Sequence, residues 1–154
     1  WLIGSLNSRG WSEISLAGPP IVFALVMGLL LSRQLNLLGL GDELSVGLGN
    51  SLFRSRCLIG ASATLLAASS VSVGGLIGFV GLIVPHAVRF LFGTDYRVVL
   101  PFSALLGAFT LSAADLIARS GSIELPVGII TSLTGAPIFI FLLYRRQKTL
   151  TSLR

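Results

Sequence analysis

The sequence predicts an all-α fold, a polytopic membrane helical bundle that crosses the bilayer about five times. Hydrophobic residues make up 53% of the 154 residues and charged residues only 11%, with a mean hydropathy of +0.91. A soluble domain carries about 25% charged residues, and a spanning helix needs about 20 mostly apolar residues. Four stretches contain no charged residue, namely Ile14–Ser32, Cys57–Val88, Val98–Ala114 and Leu125–Tyr144.

The first predicted crossing is Ile14–Ser32, with Pro19 and Pro20 near its start, where proline is tolerated. Residues 1–13 then form a periplasmic segment. The sequence begins with Trp1 and shows neither a basic start nor a cleavage site. We therefore expect no signal peptide, and we expect the chain to be a fragment that lacks its N-terminal part.

The second element is a cytoplasmic loop, residues 33–56, that contains a short amphipathic helix. Leucines recur there at helical spacings of three and four. They are Leu37, Leu40, Leu44 and Leu48. We expect Asp42 to cap this helix and Ser51 to cap the next one. Gly47, Gly49 and Asn50 can end the short helix. Such a helix either binds a protein partner or lies on its own bundle or in the lipid headgroups; spacing alone favours neither.

The stretch Cys57–Val88 has 32 residues and would be about 48 Å long as one helix. That is too long for one crossing and too short for two full helices. Four glycines fall within residues 74–81, and glycine disfavours a helix interior. We predict a full helix over Leu52–Val73, irregular backbone shielded from lipid, and a short helix over Leu82–Phe92.

Basic residues determine the predicted orientation, because cytoplasmic loops are rich in arginine and lysine. Five crossings place nine of the eleven basic residues in the cytoplasm and leave Arg9 and Arg119 outside. Counting Cys57–Val88 as one crossing gives at best seven against four. Five crossings are therefore favoured.

The fourth and fifth predicted crossings are Val98–Arg119 and Pro126–Tyr144, followed by a basic cytoplasmic tail, residues 145–154. A charged side chain deep in a bilayer is costly. Asp115 and Arg119 are four residues apart, so they can pair on one helix face. The fifth crossing carries small and weakly polar residues typical of helix packing. These are Gly128, Thr131, Ser132, Thr134, Gly135 and Ala136.

The sequence offers no recognisable enzyme site. A single histidine, His86, and a single cysteine, Cys57, do not make a metal cluster. The glycines of residues 74–81 lack the Lys-Ser/Thr of a nucleotide-binding loop. No catalytic triad or carboxylate pair is evident, and no basic stripe suggests nucleic acid. We expect no catalytic residue, no metal and no cofactor.

Several runs resemble the membrane subunits of iron-siderophore, haem and cobalamin importers, which are type II ATP-binding-cassette (ABC) importers. The strongest is Gly78-Phe79-Val80-Gly81-Leu82-Ile83-Val84-Pro85-His86-Ala87-Val88-Arg89. The others are Gly93-Thr94-Asp95-Tyr96-Arg97, Leu100-Pro101, Ala114-Asp115 with Arg119, Glu124-Leu125-Pro126-Val127-Gly128, Gly135-Ala136-Pro137, and Gly41-Asp42 with Ser45 and Leu48-Gly49.

The resemblance implies that residues 1–154 are the C-terminal half, helices six to ten, of a ten-helix inner-membrane permease. Two such subunits, identical or paralogous, would enclose a path for an iron chelate, haem or cobalamin. A separate ABC ATPase would bind ATP, and a periplasmic protein would deliver the substrate. By resemblance the ATPase contacts the coupling residues, which are Leu40, Gly41, Asp42, Leu44, Ser45, Leu48 and Gly49.

The resemblance also assigns roles outside this loop. Arg119 would dock the binding protein, and Thr131 and Thr134 would line the pathway. The expected structural residues are Pro85, His86, Arg89 and Asp115. Two other classes stay open: an ion-coupled secondary transporter or channel, which needs acidic residues along its path, and a purely structural membrane anchor.

Overall fold

The computed structural model describes residues 10–120, 126–137 and 139, and in these ranges the regular structure is helical. Three of the helices, α1, α4 and α6, are long and apolar enough to cross a membrane. The two shorter apolar helices are α5 and α7. The helices are α1 Trp11–Leu30, α2 Ser32–Gly39, α3 Asp42–Gly47, α4 Leu52–Gly74, α5 Val80–Phe92, α6 Tyr96–Arg119 and α7 Val127–Pro137.

Helix α1 begins three residues before its predicted start. The Glu13 carboxylate accepts the Gly10 N–H at 2.8 Å, which satisfies one of the amides left unpaired at a helix N-terminus. The prediction that Pro19 and Pro20 lie near the helix start is therefore wrong. They lie in the helix interior, where each removes one backbone hydrogen bond.

The predicted break after the second crossing agrees with the structure. Helix α4 ends at Gly74, and Gly75 follows with φ +69°. This is a left-handed conformation that glycine adopts without steric cost. Four more residues of irregular backbone lead to α5, which starts two residues before the predicted Leu82.

Small side chains are buried along α1 and α4, the two helices that pack most extensively on one another. In α1 these are Ala17 and Ala24, seven residues apart. In α4 they are three serines, also seven residues apart: Ser55, Ser62 and Ser69. A seven-residue repeat keeps one face of a helix toward its neighbour, and small residues on that face allow close approach in a membrane.

Helices α5 and α6 form a second packed pair. Val84 and Val88 of α5 pack with Val99 of α6, and Val88 and Val99 are almost fully buried. At the far end of α6, Ala114 and Ala118 pack with Val127 of α7. Helices α5, α6 and α7 thereby surround one space, described below.

Candidate functional site

The segment that joins α1 to α4, residues 31–51, is hereafter called the α2–α3 segment. The prediction of a single amphipathic helix in this segment is wrong, because the segment contains two helices, α2 and α3, separated by Leu40 and Gly41. Gly41 has φ +100°, a conformation that ends a helix and favours glycine. The leucine spacing continues across this break, so a periodic pattern alone did not show it.

Leucines of the α2–α3 segment project outward. Leu40, Leu44 and Leu48 are 57%, 62% and 62% exposed. All three leucines are among the residues predicted to contact an ATPase. One of these exposed leucines lies in α3, and the other two directly follow α2 and α3. Together they form an apolar patch of the kind that binds partners.

Ser45 points the other way and is wholly buried. The Asn50 side-chain amide donates to the Ser45 hydroxyl at 2.8 Å, and the Ser55 hydroxyl donates to Asn50 Oδ1 at 2.7 Å. Ser45, expected by resemblance to be a coupling residue, is therefore not part of the exposed leucine patch. Its side chain joins α3 to the first turn of α4.

Asp42 also differs from its predicted capping role. It is the first residue of α3, the N-cap position is Gly41, and no side chain caps this helix. The Asp42 carboxylate instead pairs with Arg56 of α4 at 2.7 and 2.9 Å. Both side chains are more than half exposed, so the pair adds little stability but orients α3 on α4. Ser51 stands at the predicted N-cap of α4 without a side-chain cap bond.

Asn36 of α2 forms long-range contacts that the sequence did not predict. Its side-chain amide donates to Asp95 Oδ1 at 2.6 Å, and its Oδ1 accepts the backbone N–H of Tyr96 at 2.9 Å. Asp95 is the N-cap of α6 and also accepts the Arg97 N–H at 2.9 Å. Asn36 and Asp95 thus share the capping of α6.

These contacts hold the Asp95 carboxylate in its charged form. The Arg97 N–H, then the Asn36 amide, lower the pKa of Asp95 below its ordinary value of 3.8, because both donate to the carboxylate. Next to it, Arg89 donates to the Tyr96 hydroxyl at 3.2 Å and lies 5.3 Å from the ring centroid. Arg89, expected to be structural, ties the end of α5 to the start of α6.

Helices α5, α6 and α7 line a cavity of about 370 Å³ whose walls are almost entirely apolar. Thr131 and Thr134, the predicted pathway residues, both line it. Thr131 is buried and donates to the Gly128 carbonyl, whereas Thr134 is exposed and donates to the Ile130 carbonyl. Both hydroxyls are thus satisfied by their own helix, which lowers the polarity they present to the cavity.

Phe79 and Gly135, which also line this cavity, pack against each other. Phe79 precedes α5 with φ +66°, which costs a non-glycine residue on the order of 1 kcal/mol. Its ring makes an edge contact with Phe139, with centroids 6.5 Å apart. Gly135 packs so closely on Phe79 that an added Cβ would lie 2.9 Å from Phe79 Cγ. This contact fixes α7 against the broken crossing.

Asp115 and Arg119 form the predicted ion pair, with Arg119 Nε 2.9 Å from Asp115 Oδ2. The Arg119 side chain is 48% exposed at the C-terminal end of α6. Twenty-four residues of helix, about 36 Å at 1.5 Å per residue, separate this end from the Asn36 contact.

Pro85 and His86 lie in the middle of α5, where His86 is exposed. His86, expected to be a structural residue, lies more than one full turn before Phe92, the last residue of α5. Within the described ranges no group of His, Cys, Asp and Glu could hold a metal ion. The described residues do not include residues 1–9, Glu124 or the basic tail, residues 145–154. Of the fifth predicted crossing, they do not include residue 138 or residues 140–144.

Comparison with known proteins identifies relatives along nearly the whole chain. The model of the FecCD transport family matches residues 1–145. The uncharacterized ABC transporter permease protein YvrB of Bacillus subtilis is 45% identical over 96% of this chain and 42% of its own length. The cobalamin import permease BtuC of Halobacterium salinarum is 46% identical over 96% and 40%. The hemin transport permease HmuU of Yersinia pestis is 41% identical over 96% and 45%.

A solved structure agrees with these sequence matches. It is described as an inward-facing conformation of a transporter assigned to the metal-chelate ABC type. It superimposes with a TM-score of 0.89 at 36% identity, covering 94% of this chain and 47% of that one. The chain therefore spans less than half the length of the relatives it matches.

Proposed function

The chain belongs to the FecCD transport family, and on this premise we propose that it works in the permease subunit of an ABC importer. The proposed cargo is an iron–siderophore complex or a related metal chelate such as haem or cobalamin. Relatives named for cobalamin and for hemin are similarly identical to this chain. Their similarity therefore supports the class of large metal chelates rather than one member of it.

The observation that carries the proposal is the construction of the α2–α3 segment. It presents Leu40, Leu44 and Leu48 outward, while Asp42 and Asn36 attach it to α4 and α6. An apolar patch that only rested in lipid headgroups would not need attachments to two different long helices. A patch that receives force from a partner does need them, because a loose segment would move without moving the helices.

In the proposed mechanism, two ATPase subunits bind the α2–α3 segments of two permease subunits, which are either identical or paralogous. ATP binds to the ATPases, and their closure and opening alternate the side from which the central pathway is open. The broken crossing between α4 and α5 resembles the discontinuous helices that build substrate paths in other transporters. Thr131 and Thr134 are the proposed pathway residues, since they line the cavity between α5, α6 and α7.

At the other end of α6, we assign Arg119 to docking of a substrate-binding protein. Its guanidinium is half exposed and oriented by Asp115. A carboxylate on the binding protein would complement this charge, and such contacts chiefly steer association. Because cytoplasmic loops are rich in arginine and lysine, we assign the Arg119 end of α6 to the periplasm. The protein then lies in the inner membrane with its α2–α3 segment in the cytoplasm.

The test is reconstitution of the full-length protein with its ATPase and binding protein in proteoliposomes. We expect uptake of at least one labelled ferric siderophore, haem or cobalamin, dependent on ATP and unaffected by a proton ionophore. Uptake abolished by the ionophore but independent of ATP would instead support an ion-coupled transporter.

A variant at the outward patch makes the test specific. Leu44→Asp should reduce ATPase binding, because it places a charge in the centre of the proposed apolar contact. Leu44→Met conserves volume and polarity and serves as the control. Equal ATPase binding by both variants would refute the assignment of this patch.

A further inference from the structure

We propose that Asn36 is the positioning residue through which movement of the α2–α3 segment reaches helices α5 and α6. The inference rests on the proposed function, in which an ATPase moves that segment. It concerns a different question, namely which bond passes the movement into the bundle.

The side-chain bonds that attach the α2–α3 segment differ in the sequence separation of the residues they join. The bonds of Asp42 and Asn50 span 14 and 5 positions and stay between α3 and α4. The bonds of Asn36 span 59 and 60 positions and end on the first turn of α6. Asn36 therefore connects the segment to a part of the chain that the other two residues do not contact.

The chemistry of asparagine suits this connection. One side chain donates to the Asp95 carboxylate and accepts from the Tyr96 amide. Alanine could do neither, and aspartate could accept from Tyr96 but would repel Asp95. Because Asp95 Oδ1 is shared with the Arg97 amide, the same bonds that hold Asn36 also complete the N-terminal cap of α6.

Beyond this contact, α5 and α6 are joined tightly enough to move together. Arg89 contacts the Tyr96 ring and hydroxyl, and Val84 and Val88 pack on Val99. Close-packed interiors have low compressibility and transmit displacement. Val84 also lines the cavity that Thr131 lines, so the packed α5–α6 contact continues into the cavity wall. A displacement at Asn36 would therefore change the cavity wall relative to α7.

An exchange of the two side chains tests the link in the full-length transporter. Asn36→Asp removes the amide that donates to Asp95 and brings two carboxylates together. Asp95→Asn removes the negative charge but keeps an oxygen that accepts from the Asn36 amide, so it should have the smaller effect. The double variant N36D/D95N reverses the donor and the acceptor. The amide introduced at position 95 can donate to the carboxylate introduced at position 36, while the amide oxygen still accepts from the Arg97 N–H. Coupling of this kind is measured with a double-mutant cycle. Asn50→Asp is the matched control, since it makes the same chemical change at a residue whose bonds stay between α3 and α4.

Two measurements follow for each assembled complex. The first is hydrogen exchange at the Tyr96 amide, which reports the link itself independently of transport. The second is the stimulation of ATP hydrolysis by loaded binding protein, together with chelate uptake. For Asn36→Asp we expect faster exchange and stimulation reduced by roughly fivefold or more, the lower range of coupling between distinct sites. Basal hydrolysis should be unchanged, and the double variant should recover most of the stimulation.

Asn50→Asp should instead lower the amount of ATPase bound, with normal stimulation of the complexes that form. Normal stimulation in Asn36→Asp, or a double variant that assembles without recovery, would overturn the inference. Loss of assembly in both single variants and in the double variant would overturn it too, because Asn36 would then be required for folding. Failure of the proposed function is distinguishable, since wild-type protein would then show no ATP-dependent uptake at all.

Discussion

Gly135→Ala should destabilise the protein, although the same change elsewhere in a helix stabilises it. The new Cβ would overlap Phe79 Cβ and lie 2.9 Å from Phe79 Cγ and 3.2 Å from Ile83 Cδ1. Phe79 has little freedom to withdraw, because its backbone is held at φ +66° and its ring contacts Phe139. Overpacking of this kind costs about 1–3 kcal/mol.

The helical preference of alanine partly offsets that cost, by up to about 1 kcal/mol relative to glycine. The net destabilisation should therefore be on the order of 1–2 kcal/mol. Gly107→Ala in α6 is the matched control, because an added Cβ there has nothing within 4 Å. It should leave the stability unchanged or raise it. The measurement is thermal unfolding of the full-length protein in detergent, with both variants expressed in parallel.

A second substitution locates the source of the cost. Phe79→Gly removes the overlapping side chain and places glycine at a positive φ, where it has no steric penalty. In the double variant, Gly135→Ala should then cost less than it does alone, a coupling that a double-mutant cycle measures. Equal stability of Gly135→Ala and Gly107→Ala would refute the reasoning, and so would equal costs of Gly135→Ala with and without Phe79.

Three further predictions concern topology, docking and coupling. A cysteine at Thr94 should react with impermeant reagents only from the cytoplasm and one at Ser122 only from the periplasm; periplasmic labelling at Thr94 would contradict the five-crossing topology. Arg119→Glu should weaken association with the binding protein, most at low salt, without loss of membrane insertion, and an unchanged affinity would limit Arg119 to its pair with Asp115. Ser45→Trp should abolish ATPase assembly by displacing α3 from α4, since Ser45 is wholly buried, and normal ATP-driven uptake by this variant would exclude that effect.

The sequence predicted the helical bundle because its signals are local and strong. Charge-free length indicated the spans, and glycines within residues 74–81 indicated the break that the structure has after Gly74. The start of α6 was predicted two residues late, although Asp95, a common N-cap residue, stood at the position where the helix begins. A local capping argument would have been sufficient to find this start.

Other features could not be predicted because their causes are not local. The leucines of the α2–α3 segment keep a helical period even though Gly41, at φ +100°, separates two helices. Ser45 looks like a small surface residue until Asn50 is seen to bridge it to Ser55. The contact of Asn36 with Asp95 joins residues 59 positions apart, so neither periodicity nor spacing points to it.

Whether a feature could be predicted from the sequence depends on whether that part of the chain is surrounded by lipid or by water. Within the long helices, backbone groups bond to their own helix and apolar side chains suit either lipid or another helix, so composition alone suffices to predict them. Small residues such as Ala24 and Ser62 then allow helices to pack without directional bonds. At the α2–α3 end, water competes for every polar group, and orientation there depends on bonds made by individual side chains. Movement that begins at this end must pass through such bonds before packing can carry it further, and for this reason we look for the coupling residue at Asn36 rather than inside the bundle.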